Sequence, residues 1–237
     1  MPLPSIIPSI TPFFLFVAFF LLLLVSLSLP IIKSIFLFRL AADASASLLD
    51  SSANGAVRFG VWGYCISAIT VEVVGIDRET AGKCSSPQLG YQFDSDIANA
   101  LHVSDLTNAI SRTLSAVLVL HPLACAATLV ALVTSLFITR RQAPDTVSRP
   151  AVLSTLGIAL FAAVIATISF LLDVIFVAAV HHRVDKEADG VLHLNWGNAV
   201  WLSLGATIAL WCAIVSDSAG ICALGRRFKR KQLTGER

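Results

Sequence analysis

Charged residues are scarce in this sequence. Aspartate, glutamate, lysine and arginine together make up 14% of its 237 residues, whereas 56% of the residues are hydrophobic. A soluble domain of this length usually contains about 25% charged residues. The shortage excludes an ordinary soluble domain and is typical of an integral membrane protein. The formal net charge of +2 is also too small to indicate a nucleic-acid-binding protein.

Motifs that carry catalysis are missing as well. The sequence has no glycine-rich phosphate loop, no serine nucleophile elbow and no pair of carboxylates spaced for a shared pocket. A transporter would usually have more spans, arranged as repeated halves. We therefore expect a protein that is not an enzyme and that needs no cofactor and no metal. The sequence also has no Asn-x-Ser/Thr site, so glycosylation gives no information on topology.

Four long apolar runs are present instead, and they predict an α-helical membrane protein with a bundle of four transmembrane helices. We expect the first run to be retained, because it lacks the basic segment and the short apolar stretch of a cleaved signal peptide. The predicted order is an N-terminal segment (1–12), first span (13–32), first polar loop (33–112), second span (113–138), short connection (139–150), third span (151–180), second polar loop (181–198), fourth span (199–215) and basic tail (216–237).

The positions of lysine and arginine predict the orientation. Nine of them lie in the short connection and the tail, and eight lie in the two polar loops. Most of the loop charges are spread over the long first loop, and long loops count weakly in the positive-inside rule. Both termini are therefore predicted to be cytoplasmic and both loops to be outside, in a multi-pass membrane protein.

Two of the five cysteines, Cys65 and Cys84, lie in the first polar loop. An oxidising exoplasmic environment would favour a disulfide between them, with two free thiols as the alternative. Apolar residues alternate over 57–61 and β-branched residues follow at 70–74, which predicts strands. We expect a small extracellular β-hairpin stapled by this disulfide. Residues 41–55, rich in alanine, serine and aspartate, are expected to form a flexible connector.

Two ionisable residues interrupt the apolar runs, His121 in the second span and Asp173 in the third. At about 1.5 Å per residue, both lie roughly 11–14 Å from the outer ends of their spans. Ionisable groups inside a membrane are costly when unpaired, so we expect the two to face each other. Such a pair favours an imidazolium beside a carboxylate and weakens as the pH rises. A permanent structural hydrogen bond is the alternative.

Three histidines, His181, His182 and His193, lie in the second polar loop and titrate near neutral pH. A sensing role is one interpretation, and ordinary exposed histidines are the other. Their spacing does not suit a zinc site. Small residues recur every four positions in the third and fourth spans, which lets helices approach closely and is compatible with a homo-oligomer.

A cluster of basic residues dominates the tail. It is predicted to bind anionic lipids of the inner leaflet, since each such residue contributes about 1 kcal/mol near an anionic surface. Cys222 just before it is a candidate for palmitoylation. The cluster consists of Arg226, Arg227, Lys229, Arg230 and Lys231.

The first loop carries a motif that resembles the signature of the claudin superfamily: Gly60, Val61 and Trp62 followed by Cys65. A closer resemblance is to the fungal PalI family of pH-response regulators. It covers most of the chain from residue 13 to about 215. The segments that carry it are Pro30-Ile31-Ile32-Lys33-Ser34-Ile35, Phe59-Gly60-Val61-Trp62-Gly63-Tyr64-Cys65, Leu89-Gly90-Tyr91, His121-Pro122-Leu123-Ala124 and Leu172-Asp173-Val174-Ile175-Phe176.

This resemblance implies a claudin-like extracellular sheet and a non-catalytic role in sensing ambient alkaline pH at the plasma membrane. The implied partner is a larger multispanning sensor that this protein supports or stabilises. A claudin-like organiser of plasma-membrane domains at the cell cortex, or an adhesion protein, is the alternative. Within the first-loop motif (Gly60, Trp62, Gly63 and Tyr64), Trp62 is expected to pack inside the sheet, with a direct partner contact as the alternative.

The basic tail generates a first prediction. Replacing its five clustered lysines and arginines with glutamine should leave the helices intact but weaken binding of the isolated tail to anionic vesicles, most clearly at low salt. A vesicle titration of the wild-type and substituted tail peptides measures this. Equal binding of the two peptides would refute the lipid-binding role.

Overall fold

A computed structural model describes residues 7–46, 51–67, 69–73, 76–80, 82–86, 104–141, 149–187 and 192–234. Within these ranges the chain forms four helices: α1 (Ile7–Ser26), α2 (Ser104–Arg141), α3 (Arg149–Glu187) and α4 (Asn198–Thr234). The same ranges contain seven strands: β1 (Phe38–Ala46), β2 (Ser51–Phe59), β3 (Tyr64–Ile66), β4 (Ile69–Val73), β5 (Ile76–Thr80), β6 (Lys83–Cys84) and β7 (Leu192–Trp196). Long helices with a small antiparallel sheet fit a helical membrane protein.

Three of the described helices are long and apolar enough to cross a membrane. The crossing segments are Val119–Arg140 in α2, Leu153–His182 in α3 and Asn198–Ala219 in α4. The described apolar part of α1, Ile10–Ser26, is shorter. Apolar runs become helical in lipid because an α-helix satisfies its own backbone hydrogen bonds where water is absent.

The helix bounds differ from the predicted spans. Helix α3 continues past residue 180 to Glu187, and α4 continues past residue 215 to Thr234. Hydropathy marks only the apolar part of a helix, whereas lysine, arginine and glutamate are good helix formers and extend it. Helix α1 ends at Ser26, six residues before the predicted end of the first span, and turns follow it towards Pro30. Helix α2 begins at Ser104, nine residues before the predicted start of the second span at residue 113.

The chain divides into two compact units, and each helix contributes a segment to both. The sheet unit consists of Leu24–His121 and Ser169–Ser203. The helical unit consists of Met1–Leu23, Pro122–Ile168 and Leu204–Arg237.

Small residues contribute to the buried faces of the helical unit. Ala159, Ala163, Ala209 and Ala213 are 0–6% exposed, and at Gly205 an added Cβ would lie 3.4 Å from Leu21 Cδ1. The indole Nε1 of Trp211 donates a hydrogen bond to Thr167 Oγ1 over 3.2 Å. The four-residue spacing read from the sequence therefore marks surfaces of close helix packing.

The sheet is larger than the predicted hairpin. Strands β1 and β2 pair antiparallel over nine residues, and the strand order is β5-β4-β2-β1-β7, with β3 pairing both β2 and β6. Residues 41–46 and 51–55, predicted as part of a flexible connector, belong to these two strands, so that prediction was wrong. Alanine and serine have weak strand propensity, but pairing with neighbouring strands overrides it.

The sheet is also not confined to the first polar loop. Strand β7 comes from the segment 181–198, which the sequence predicts to be a loop, and it pairs with β1 at the opposite edge from β5. Residues 181–187 of that segment belong to α3, which therefore carries His181 and His182. Alternation over the five residues of β7 is too short to separate a strand from a loop without its partner.

An aromatic row crosses four strands on one face of the sheet. Phe38 of β1 is paired with Phe59 of β2 and Trp196 of β7, and Phe59 is paired with Tyr64 of β3. The Phe38 and Phe59 rings stack at 4.6 Å, and Phe38 meets Phe176 of α3 edge to face at 5.7 Å. Phe38 therefore packs the sheet onto α3, and Phe38, Phe59 and Tyr64 belong to the buried core, whereas Trp196 is exposed.

The junction between β7 and α4 is tied to the chain just before β1. Asn198 Oδ1 accepts a hydrogen bond from the Phe36 amide over 3.0 Å, and its Nδ2 donates to Ser34 O over 2.9 Å. A Cβ at Gly197 would overlap the Phe36 carbonyl oxygen, so glycine is required at this close approach.

Gly60 generates a second prediction. A Cβ at this buried position would lie 2.8 Å from Leu29 Cα, so Gly60→Ala should lower the free energy of unfolding by about 1–3 kcal/mol through overpacking. The matched control is Gly157→Ala on the exposed side of α3, where nothing lies within 4 Å and alanine should stabilise the helix by about 0.5–1 kcal/mol. Thermal unfolding in detergent measures both. A Gly60→Ala variant as stable as the wild type would contradict this packing.

Candidate functional site

The first-loop motif forms the turn between β2 and β3. The Gly60 amide donates to Gly63 O over 2.9 Å and closes the turn. Two further backbone amides reach the segment that follows α1: Val61 N donates to Ser28 Oγ over 2.9 Å, and Trp62 N donates to Leu29 O over 3.1 Å. The motif therefore fastens the sheet to the exit of the first helix.

Trp62 lies in this turn, not in a strand. Its side chain is half-buried, and its indole Nε1 donates a hydrogen bond to Ser26 O at the end of α1. Tryptophan suits such a place because a large apolar ring and one polar N–H can both be satisfied. The contact gives Trp62 an anchoring role between α1 and the sheet.

The predicted disulfide between Cys65 and Cys84 is confirmed. The two residues are directly paired on β3 and β6, with an S–S distance of 2.00 Å. The adjacent Tyr64 and Ser85 add two hydrogen bonds, since Ser85 N donates to Tyr64 O over 2.9 Å and Tyr64 N donates to Ser85 Oγ over 3.1 Å. The disulfide thus joins the short β6 to the rest of the sheet.

Helices α2 and α3 bring His121 and Asp173 together. His121 Nε2 lies 3.0 Å from Asp173 Oδ2, within hydrogen-bond distance. His121 is 0% exposed and Asp173 is 2% exposed. Removing one member of a buried pair is costly, typically about 3–5 kcal/mol, because the other member is left without its partner. The pair can hold a proton between two helices in a site without solvent.

The same stretch of α3 carries the sheet contact. Phe176, which meets Phe38 of the aromatic row, follows Asp173 by three residues. Residues three apart on a helix lie on neighbouring turns of one face. Asp173 of the buried pair and Phe176, which supports the sheet, therefore lie on one face of the same segment of α3.

The other predicted site residues are placed separately. His193 lies on β7, while His181 and His182 lie near the end of α3. Among the described residues, no group of three histidine, cysteine, aspartate or glutamate side chains could hold a metal ion. The backbone of the basic tail is helical to Thr234, but the side chains of its cluster and of Cys222 lie outside the described residues.

The structure adds one half-buried carboxylate that the sequence analysis assigned to the tail. Asp217 lies within the apolar segment of α4, and its carboxylate accepts a hydrogen bond from the Thr11 side chain of α1 in the helical unit. Thr11 is 3% exposed. The apolar residues Ile221, Cys222, Ala223 and Leu224, which continue the run beyond Asp217, are the signal that could have identified it.

Comparisons with known proteins identify relatives of this chain. The model of the SUR7/PalI family matches residues 8–213. The pH-response regulator palI/prr-5 of Neurospora crassa is 28% identical over 92% of this chain and 26% of its own length. The palI/RIM9 regulators of Pyricularia oryzae and Emericella nidulans are 27% and 28% identical over 91% and 92% of this chain, and over 24% and 32% of their own lengths.

The chain thus spans about a quarter to a third of the length of these curated relatives. The matched region includes the first-loop turn, both cysteines of the disulfide and the His121–Asp173 pair. Since the family model covers most of the sequence, the resemblance found in the sequence is confirmed, and the chain belongs to the SUR7/PalI family.

Proposed function

We propose that this chain is a non-catalytic plasma-membrane component of ambient alkaline pH signalling that supports or stabilises a larger multispanning sensor. Its similarity to proteins named pH-response regulators supports the signalling role. The observation that carries the proposal is the buried contact of His121 with Asp173, because histidine is the side chain whose charge ordinarily changes near neutral pH. A family of regulators, not of enzymes, agrees with a role without catalysis.

The proposed topology is claudin-like, with four spans, both termini in the cytoplasm and the sheet outside. The disulfide supports an exoplasmic sheet, since such bonds persist in oxidising compartments. Helix α1, with 20 residues, is about 30 Å long and can serve as the fourth span beside the three longer helices. The basic connection and tail then lie on the cytoplasmic side.

The pH response follows from the charge of the imidazole. At low pH an imidazolium beside a carboxylate adds an ionic attraction between α2 and α3. As the pH rises and His121 loses its proton, that attraction is lost and only a hydrogen bond from a neutral ring remains. Since α3 also supports the sheet through Phe176, a weaker α2–α3 contact loosens the base of the sheet. The contact between α2 and α3 therefore weakens as the pH rises, which is the direction of change that an alkaline pH-signalling pathway must detect.

Native co-purification tests the partner. The full-length protein is captured from plasma membranes at acidic and at alkaline pH, and the proteins recovered with it are identified. We expect a multispanning membrane protein whose abundance falls when this chain is deleted. Recovery of the same chain from apposed cells would indicate adhesion instead, and static cortical patches without such a partner would indicate the membrane-domain role.

A double-mutant cycle tests the pair. His121→Gln and Asp173→Asn should each lower the free energy of unfolding, by about 3–5 kcal/mol, and the double variant should lose less than the sum. The advantage of the wild type over His121→Gln should be largest at low pH and shrink as the pH rises. The control is His182→Gln, a substitution at an exposed position of α3, the helix that carries Asp173. It should change the free energy of unfolding little. Strictly additive losses, or a wild-type advantage that does not vary with pH, would remove this mechanism.

A further inference from the structure

The sheet has a second face, opposite the aromatic row, and its chemistry is different. One residue along from Phe38 and Phe59, the register pairs Arg39 directly with Arg58, and it also pairs Arg39 with Asn195 of β7. Directly paired residues share a face, and successive residues alternate between faces. Because the aromatic row packs on α3, the row that contains the two arginines points away from that helix.

The two arginines form an arrangement that is unfavourable by itself. Like charges directly opposite each other on neighbouring strands destabilise a sheet. In the part of the chain that the structure describes, neither guanidinium has an ion pair with a carboxylate. The Nε atoms of Arg39 and Arg58 are both buried without a hydrogen-bond partner, and an unsatisfied buried donor has a cost of about 1–3 kcal/mol. An anion bound between the two groups would offset both effects.

The residues around the two guanidinium groups are compatible with a bound ligand. Phe36 lies 5.6 Å from the Arg58 guanidinium carbon, in a cation–π contact that restricts its motion. Two residues further along the strands, the same face carries Ala41 paired with Ala56 and with His193. His193 and Asn195 are exposed at the β7 edge of this face, whereas Ala56 is buried. We call Arg39, Arg58, His193 and Asn195 the arginine face.

We propose that the arginine face binds a carboxylate side chain of a partner polypeptide on the same side of the membrane as the disulfide. Planar guanidinium groups recognise carboxylates through paired N–H donors, which gives both affinity and orientation. Lipid headgroups of the same bilayer are a poorer fit, because the opposite face of the sheet is the one that packs on the membrane-crossing α3. This inference does not depend on the role in pH signalling.

The test uses the full chain in nanodiscs of neutral lipid, with the five clustered basic residues of the tail replaced by glutamine so that the tail cannot bind the probe. The probe is a fluorescent hexaglutamate peptide. The double variant Arg39→Gln/Arg58→Gln should bind it about tenfold more weakly or worse, since charge-assisted pairs are lost. The matched control Lys33→Gln/Lys83→Gln removes the same charge from two exposed positions of the sheet unit and should change affinity less than twofold.

Thermal unfolding separates binding from folding. The arginine double variant should have an unchanged or higher unfolding midpoint, because the like-charge contact is gone. A lower midpoint with unchanged peptide binding would assign the arginines a structural role and overturn the proposal. Three other results would also overturn it: no peptide binding by the parent chain, equal loss in the lysine control, or binding of inorganic phosphate or phosphatidylserine vesicles without binding of the peptide.

Discussion

The sheet unit depends on the contact between the Gly60–Gly63 turn and the chain that leaves α1. Backbone amides of Val61 and Trp62 and the Trp62 indole all donate to the segment Ser26–Leu29, and Gly60 allows Leu29 to approach closely. These amides would otherwise be buried without partners, which folded proteins rarely tolerate. These hydrogen bonds therefore join the end of the first helix to the first-loop sheet, because neither segment alone could supply the partners.

A second constraint lies in the apolar part of the sheet unit. His121 and Asp173 are buried, so solvent cannot replace their contact. Separating the two groups has a large free-energy cost, and the contact therefore holds α2 and α3 in one register. Phe176 then transmits the position of α3 to the aromatic row. The proposed pH response rests on this link, because the contact that includes a histidine lies on the same helix as the side chain that supports the sheet.

The strand register gives the sheet two chemically different faces, one aromatic and one that carries arginines. Aromatic residues on one face gain free energy by burial against α3, and they position the sheet. On the other face, Arg39 and Arg58 are directly paired without a described carboxylate partner, and the repulsion between like charges is unfavourable. Arrangements that lower the stability of the free protein are common at functional surfaces, because the requirements of function can oppose those of stability.

The sequence alone was sufficient for those parts of the protein that depend on local patterns. Long apolar runs predict α2, α3 and α4 because lipid leaves an apolar chain few alternatives to a helix. The polar setting of Cys65 and Cys84 indicated their disulfide, and the first-loop motif together with the other family segments indicated the family. The buried polar residues His121 and Asp173 stood out for the same reason, since charge is rare in an apolar run.

Only the tertiary structure decided the rest. The strands β1 and β2 lie partly in a segment of weak strand propensity, and β7 is recognisable only once it is paired with β1. The hydrogen bond of Phe36 with Asn198 joins residues 162 positions apart, beyond the reach of any local pattern. The contact of Asp217 with Thr11 and the alignment of Arg39 with Arg58 arise in the same way. Local propensity sets which residues can form a helix or a strand, but register and pairing are set by contacts between segments that are distant in the sequence.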